Sequence, residues 1–196
     1  MLGLPKTTEV SKQLPKKAIY AKFQMKTAEK DRFDADISRI TIVNEVTPNN
    51  VNISAGDEVK SFFVLLVSLK RKDFSERTIE TLSKLIPQNI LFFLECGSES
   101  KLAVYRLKIL QTEWKPTAEQ HIELKGLNLD KAWENIVSTV GGVELEQGNS
   151  LNEQIAVDER REKLLKEIEK LEKQARNEKQ PRKKFEIVQR IKMLKG

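Results

Sequence analysis

The sequence predicts an α+β protein: a mixed β-sheet of about five strands with helices packed on it, followed by a C-terminal α-helical hairpin or coiled coil. Three observations carry this. Two near-continuous apolar runs, within 59–70 and 90–96, have the pattern of strands covered on both faces. Between them Ile79, Leu82, Leu85 and Ile86 fall at helical spacing, which asks for a parallel crossover. Beyond residue 157 the apolar positions change to a 4-3 rhythm flanked by Glu and Lys.

The elements follow in chain order. Two Leu-Pro steps, Leu4-Pro5 and Leu14-Pro15, keep the start out of the α region, but Pro15 suits the first turn of a helix over 16–26. Thr27 to Phe33 reads as a second short helix with Thr27 as its cap. The β-branched run of Ile37, Ile40, Ile42, Val43 and Val46 is a strand that ends at Thr47-Pro48-Asn49-Asn50. Alternation of Val51 and Ile53 against Asn52 and Ser54 predicts a hairpin partner over 50–54. Strand 59–70 comes next. Ser75 caps the crossover helix and Pro87 stops it. Strands 89–96 and 101–110 are joined at Gly97-Ser98-Glu99-Ser100. Residues 111–127 are irregular. Leu129, Ala132, Trp133, Ile136, Val137 and Val140 make the core stripe of a helix capped by Asn128 or Asp130 and ended by Gly141-Gly142. In the tail, Val157, Leu164, Ile168, Leu171 and Ala175 form one seam. After Pro181, Phe185, Val188, Ile191 and Leu194 form a second. Composition shifts divide the chain into a basic N-terminal helical segment (1–33), an α+β core (34–150) and the hairpin (151–196).

Charge is distributed unevenly. The 196 residues carry a net +6, yet 1–157 balance at 21 Lys+Arg against 21 Asp+Glu, so 158–196 supply the excess. Residues 1–32 hold 8 basic and 3 acidic side chains, and 33–157 hold 13 and 18. One Cys excludes an internal disulfide, and with one His it excludes a zinc site of the usual four ligands. The formal pair Cys96 and His121 lacks the surroundings of an activated nucleophile, and Cys96 is expected to be buried on its strand. No apolar run spans a membrane and MLGLPKTTEV has no apolar signal region, so a cytoplasmic protein is expected.

No phosphate-binding glycine loop and no nucleophile elbow occurs. One catalytic arrangement can be drawn. Glu58-Val59-Lys60 has the E-x-K spacing of metal-dependent nucleases, with Asp34, Asp36 or Asp57 as a further ligand. Basic clusters are the other candidates for nucleic acid or a partner protein: Lys16 and Lys17 on the first helix, Lys70-Arg71-Lys72 at the end of a central strand, and Arg182-Lys183-Lys184 at the last helix start. Cations at a helix N-terminus oppose the macrodipole, so Arg182–Lys184 favour an anionic partner. Solvated flank charge explains the same residues without one.

The stretches LPKTTEVSKQLPKKAIYAKF, DRFDADISRITIVNEV, KLIPQNILF and EKQPRKKFEIVQRIK resemble a bacterial family of unknown function. Its members are small proteins that share a Lys-Leu-Pro/Ile-Pro motif, here Lys84, Leu85, Ile86 and Pro87, and the resemblance spans 4–195. It implies genomic neighbours among helicases and DNA methyltransferases of restriction–modification or phage-defence systems, and it supplies no catalytic residues. The expected function is a non-catalytic accessory protein, without cofactor, that binds nucleic acid or a nucleic-acid enzyme such as a helicase or methyltransferase. The alternatives are a metal-dependent nuclease using Glu58 and Lys60, and an interaction scaffold that forms a homodimer through 151–196.

Overall fold

The structure, a computed structural model, describes residues 2–146 and 148–195. It divides into two compact units, residues 1–144 and 145–196.

The first unit is built on a seven-stranded mixed sheet in the order β1-β2-β3-β4-β5-β6, with β7 also paired to β5. Its strands are β1 (Glu9–Gln13), β2 (Ile37–Val46), β3 (Phe62–Leu69), β4 (Asn89–Cys96), β5 (Glu99–Arg106), β6 (Lys108–Gln111) and β7 (Lys115–Pro116). Its helices are α1 (Lys16–Lys22), α2 (Thr27–Asp36), α3 (Pro48–Val51), α4 (Glu76–Ser83) and α5 (Leu129–Gly141). Among the strands of the described residues only β3 and β4 pair in parallel, with Phe62 opposite Asn89 and Ser68 opposite Glu95. The crossover through α4 makes that pairing possible, as the apolar runs predict.

Period-two alternation sends the side chains of the central strands to two cores. On one face Leu65, Val67, Ile90, Phe92 and Leu94 cluster with Ile19 of α1, Phe33 of α2, and Ile79 and Leu82 of α4. On the other face Phe62 meets Trp133 of α5, their rings 5.1 Å apart and tilted at 46°. Phe62, Leu65, Leu91, Phe92, Phe93 and Leu94 are fully buried, as strands covered on both sides must be. The α5 helix is capped by the Asn128 side chain, which accepts the Lys131 N–H at 3.0 Å, and it ends at Gly142 in the left-handed region (φ 60°).

The structure corrects the expected elements in several places; the helix expected over 16–26 ends at Lys22, and the crossover helix ends at Ser83, before Leu85 and Ile86. Residues 50–54 are no strand. Pro48 occupies the first turn of α3, and the Asn50 side chain accepts the Thr47 N–H at 2.8 Å, which closes a short helix instead. Ser54 keeps only an isolated bridge to Asn128. The strand expected from residue 59 starts at Phe62. The span 101–110 is two strands, because Leu107 takes φ 61° and reverses the chain between Arg106 and Lys108. The edge strand β1 carries no apolar alternation and all five of its residues are exposed, so its sequence does not announce it. Thr27 opens α2 rather than capping it; the cap residue is Lys26, whose N–H donates to Glu29 at 2.7 Å.

The second unit holds α6 (Leu151–Asn177) and α7 (Pro181–Lys195), joined by a short link at 178–180. Ser150 and Glu153 form a capping box at the start of α6. Ile168, Leu171 and Ala175 of α6 pack against Ile191 of α7, with Ile187 and Leu194 beside them. The two helices are therefore a packed antiparallel pair along the C-terminal half of α6. No helix among the described residues is long and apolar enough to cross a membrane.

Candidate functional site

The N-terminus of β2 and the C-terminal end of β3 lie at the same end of the sheet, and four of the predicted cations converge there. Lys16 donates to the Asp34 carboxylate at 2.7 Å and to the Ile37 carbonyl. Lys70 donates to the Asp34 backbone carbonyl at 2.6 Å. Arg71 straddles one oxygen of Asp36 through Nε at 2.7 Å and a terminal nitrogen at 2.6 Å. Lys72 forms an ion pair with Glu99 and stands 5.5 Å from the Trp114 ring centre. Asp36 is only 1% exposed, and its second oxygen accepts the Ser75 N–H at 3.0 Å. A buried carboxylate needs such partners, since an unpaired charge out of water is costly.

Electrostatics follow from these contacts. Hydrogen bonds from Lys16, then from Tyr20, hold the Asp34 carboxyl below the ordinary aspartate range. Burial, and then the hydrogen bond to Asp34, push the Tyr20 phenol up. The run Lys70-Arg71-Lys72, a basic patch in sequence, has each of its cations paired within the fold while remaining exposed. Lys16 is paired in the same way, whereas Lys17 is exposed and has no ion pair among the described residues.

The same helices enclose a groove of about 380 Å³ between α1, α2 and α4. Phe23, Met25 and Phe33 give its apolar floor, while Arg32, Arg77, Lys84, Ser75, Thr78 and Thr81 give its polar walls. Lys84 is engaged by Glu80 at 2.9 Å. The guanidinium groups of Arg32 and Arg77 are exposed and make no hydrogen bond or ion pair among the described residues. Glu29 is the one acidic residue of the lining. Neither arginine stands in a basic run, so sequence inspection passes over both.

A second missed feature is Lys101 on β5. It is 9% exposed, donates to Gln111 at 2.7 Å, and stands 5.0 Å from the Phe74 ring and 5.1 Å from that of Trp114. Burial lowers its pKa against the opposing pull of Glu76 and Glu113.

The remaining predicted residues lie elsewhere. Arg182 is 93% exposed and pairs loosely with Glu186 at 3.5 Å. Lys183 and Lys184 are exposed without an ion pair among the described residues, and no acidic side chain stands in that first turn. Lys60 donates to the Gly56 carbonyl at 2.8 Å, and Glu58 is exposed. The backbone N–H groups of Asp57, Glu58 and Val59 all donate to the Asp130 carboxylate, at 2.7, 3.2 and 2.7 Å. These bonds, led by the one from Val59, hold Asp130 below its usual range. Among the described residues no group of three or more His, Cys, Asp or Glu could hold a metal ion. Cys96 is half-buried at the end of β4.

Fold and site together define an α+β protein with a cation-walled groove beside its central sheet. The chain belongs to the family described as domain of unknown function DUF4391, which it matches over residues 2–196. No curated protein and no solved structure matches the chain.

Proposed function

We propose that the chain is a non-catalytic accessory protein that binds nucleic acid through the cationic groove of its first unit, with the start of α7 as a second contact. What supports this most is the pair Arg32 and Arg77, two guanidinium groups without a partner among the described residues on the walls of one groove. Guanidinium forks suit phosphate oxygens, and each phosphate neutralised releases counterions. Lys17, Lys183 and Lys184 add unpaired charge at other points of the surface. Contacts of this kind are made to phosphates, so binding is insensitive to sequence and steep in salt. Helicases and methyltransferases that work on the same nucleic acid are the partners such a protein would serve, in restriction–modification or phage defence.

Fluorescence anisotropy with labelled single- and double-stranded oligonucleotides, over a salt series, tests this reading. Arg32→Glu with Arg77→Glu should weaken binding at least tenfold, and the triple change of Arg182, Lys183 and Lys184 to Glu by less. Absence of binding at low salt overturns the reading.

A specific observation favours a second reading, a scaffold that pairs with another copy through 151–196. Leu165, Phe185 and Met193 are 65%, 63% and 81% exposed on α6 and α7, an apolar load that one hairpin leaves uncovered. Light scattering of the full chain and of a chain ending at 144 separates the two. Loss of a dimer on truncation supports the scaffold.

A further inference from the structure

A second cavity, of about 300 Å³, opens between the 121–125 segment, β5 and α5. Its floor is aliphatic: Leu102, Ile122, Ile136 and Val140, each no more than 7% exposed. Its rim is polar and carries both signs of charge, with His121, Glu123, Lys125, Asn135 and Thr139. Glu123 and Lys125 form an ion pair with each other, and Lys125 holds the Glu123 carboxyl below its ordinary range. The Asn135 amide nitrogen donates to the Lys125 carbonyl at 2.7 Å, which turns its oxygen into the free acceptor.

The segment that carries this rim is fixed from beneath. The Ile122 N–H donates to the Leu2 carbonyl at 2.9 Å, and Leu2 and Leu4 are buried. The His121 ring lies so close over Gly3 that a Cβ there would stand 2.1 Å from ring carbon Cε1, and Gly3 has φ 74°. The N-terminal residues thus serve as a seat that sets where His121 stands.

From this geometry we infer a binding site for a free branched aliphatic α-amino acid. A volume at the low end of ligand pockets admits a small molecule and excludes a polymer segment. A floor without aromatic rings gives a flat heterocycle nothing to stack on and suits a branched alkyl chain. A rim with an ammonium, an imidazole and a hydroxyl beside a carboxylate and an amide oxygen matches a zwitterion. The zwitterion inserts into the exposed Glu123–Lys125 pair and replaces it: the ligand carboxylate takes Lys125 and His121, and its ammonium takes Glu123 and the Asn135 oxygen. A purely anionic ligand would meet Glu123, and a purely cationic one would meet Lys125. The pocket shares no residue with the α1–α2–α4 groove, so the inference stands apart from nucleic-acid binding.

Methyl-resolved NMR titration of the full chain with L-leucine tests it. Saturable shifts confined to Leu102, Ile122, Ile136 and Val140 are expected, with at least tenfold weaker binding of isovalerate and of isoamylamine, which each carry one half of the zwitterion. Thr139→Trp places an indole at an exposed rim position on α5 and should abolish the shifts. Glu123→Gln should weaken L-leucine at least fivefold while isovalerate improves. Arg32→Glu with Arg77→Glu should leave L-leucine binding unchanged. The inference is overturned if L-leucine gives no saturable shift, if either half-ligand binds as well, or if a folded Thr139→Trp protein still responds.

Discussion

The two units bury their apolar residues to different depths. In the first, Phe62, Phe92 and Phe93 are at 0% exposure, and helices cover both faces of the sheet. In the second, the seam residues Ile168, Leu171 and Ile191 keep 7–9% exposure, and larger apolar groups stand in water nearby. The first unit has a core thick enough to specify its own fold. Apart from Leu151 and Ile155, which are buried at the start of α6, the second depends on one thin seam and on surface ion pairs, Glu167 with Arg190 and Glu172 with Lys195, both at 2.7 Å. Such pairs contribute little individually, so α7 is the element most easily detached.

Four substitutions sharpen or break that contrast, the largest first. Phe92→Ala should cost about 3–5 kcal/mol by emptying the centre of the sheet, read as a lower melting temperature of the cooperative transition. Leu171→Ala should cost about 2 kcal/mol, read as helical circular dichroism lost without a shift of the sheet's transition. Equal effects of the two would break the comparison. Asp130→Asn tests the clasp that holds residues 57–59. Its carboxyl is lowered in the fold, so its contribution is present above the unfolded aspartate pKa and fades as pH falls through the folded one. The substitution should therefore destabilise at neutral pH, with the gap to wild type narrowing on acidification, as followed by denaturant titration at several pH values. Arg190→Ala should move stability by less than about 0.5 kcal/mol, and 1 M salt should reproduce that change in wild type.

How much was legible in the sequence depended on what holds each element. Residues 62–69 and 89–96 declared themselves because burial on both faces forces an apolar run. The seam of α6 did so only in part: Ile168, Leu171 and Ala175 pack as their spacing predicts, but Leu164 is exposed, and on α7 Phe185 and Val188 are exposed while Ile187 joins Ile191 and Leu194 in the seam. By contrast β1 is held by backbone bonds to β2 and exposes every side chain, so no apolar pattern marks it. Leu107 adopts a left-handed conformation that no leucine advertises. The site was legible only in part. Lys70, Arg71 and Lys72 stand together in sequence, but their pairing with the Asp34 carbonyl, Asp36 and Glu99 is set by the fold and not by their run. Arg32 and Arg77 face one groove although nothing in their local sequence relates them. Charge runs record composition, while unpaired charge is a property of tertiary neighbours. The division at 144/145 sharpens the point: residues 145–196 hold 14 basic against 10 acidic side chains, and many of these pair within the hairpin.

The order of the sheet has a consequence for how the chain is made. From β1 to β6, every strand lies beside the strand that precedes it in sequence. A ribosome releasing the chain from its N-terminus therefore delivers each strand to a neighbour already outside the exit tunnel. Pairing from β1 to β6 never waits for a distant strand, which keeps loop entropy low at each of these steps. The open edge of the growing sheet is occupied by the next strand to emerge, so the interval in which it could recruit another nascent chain is short.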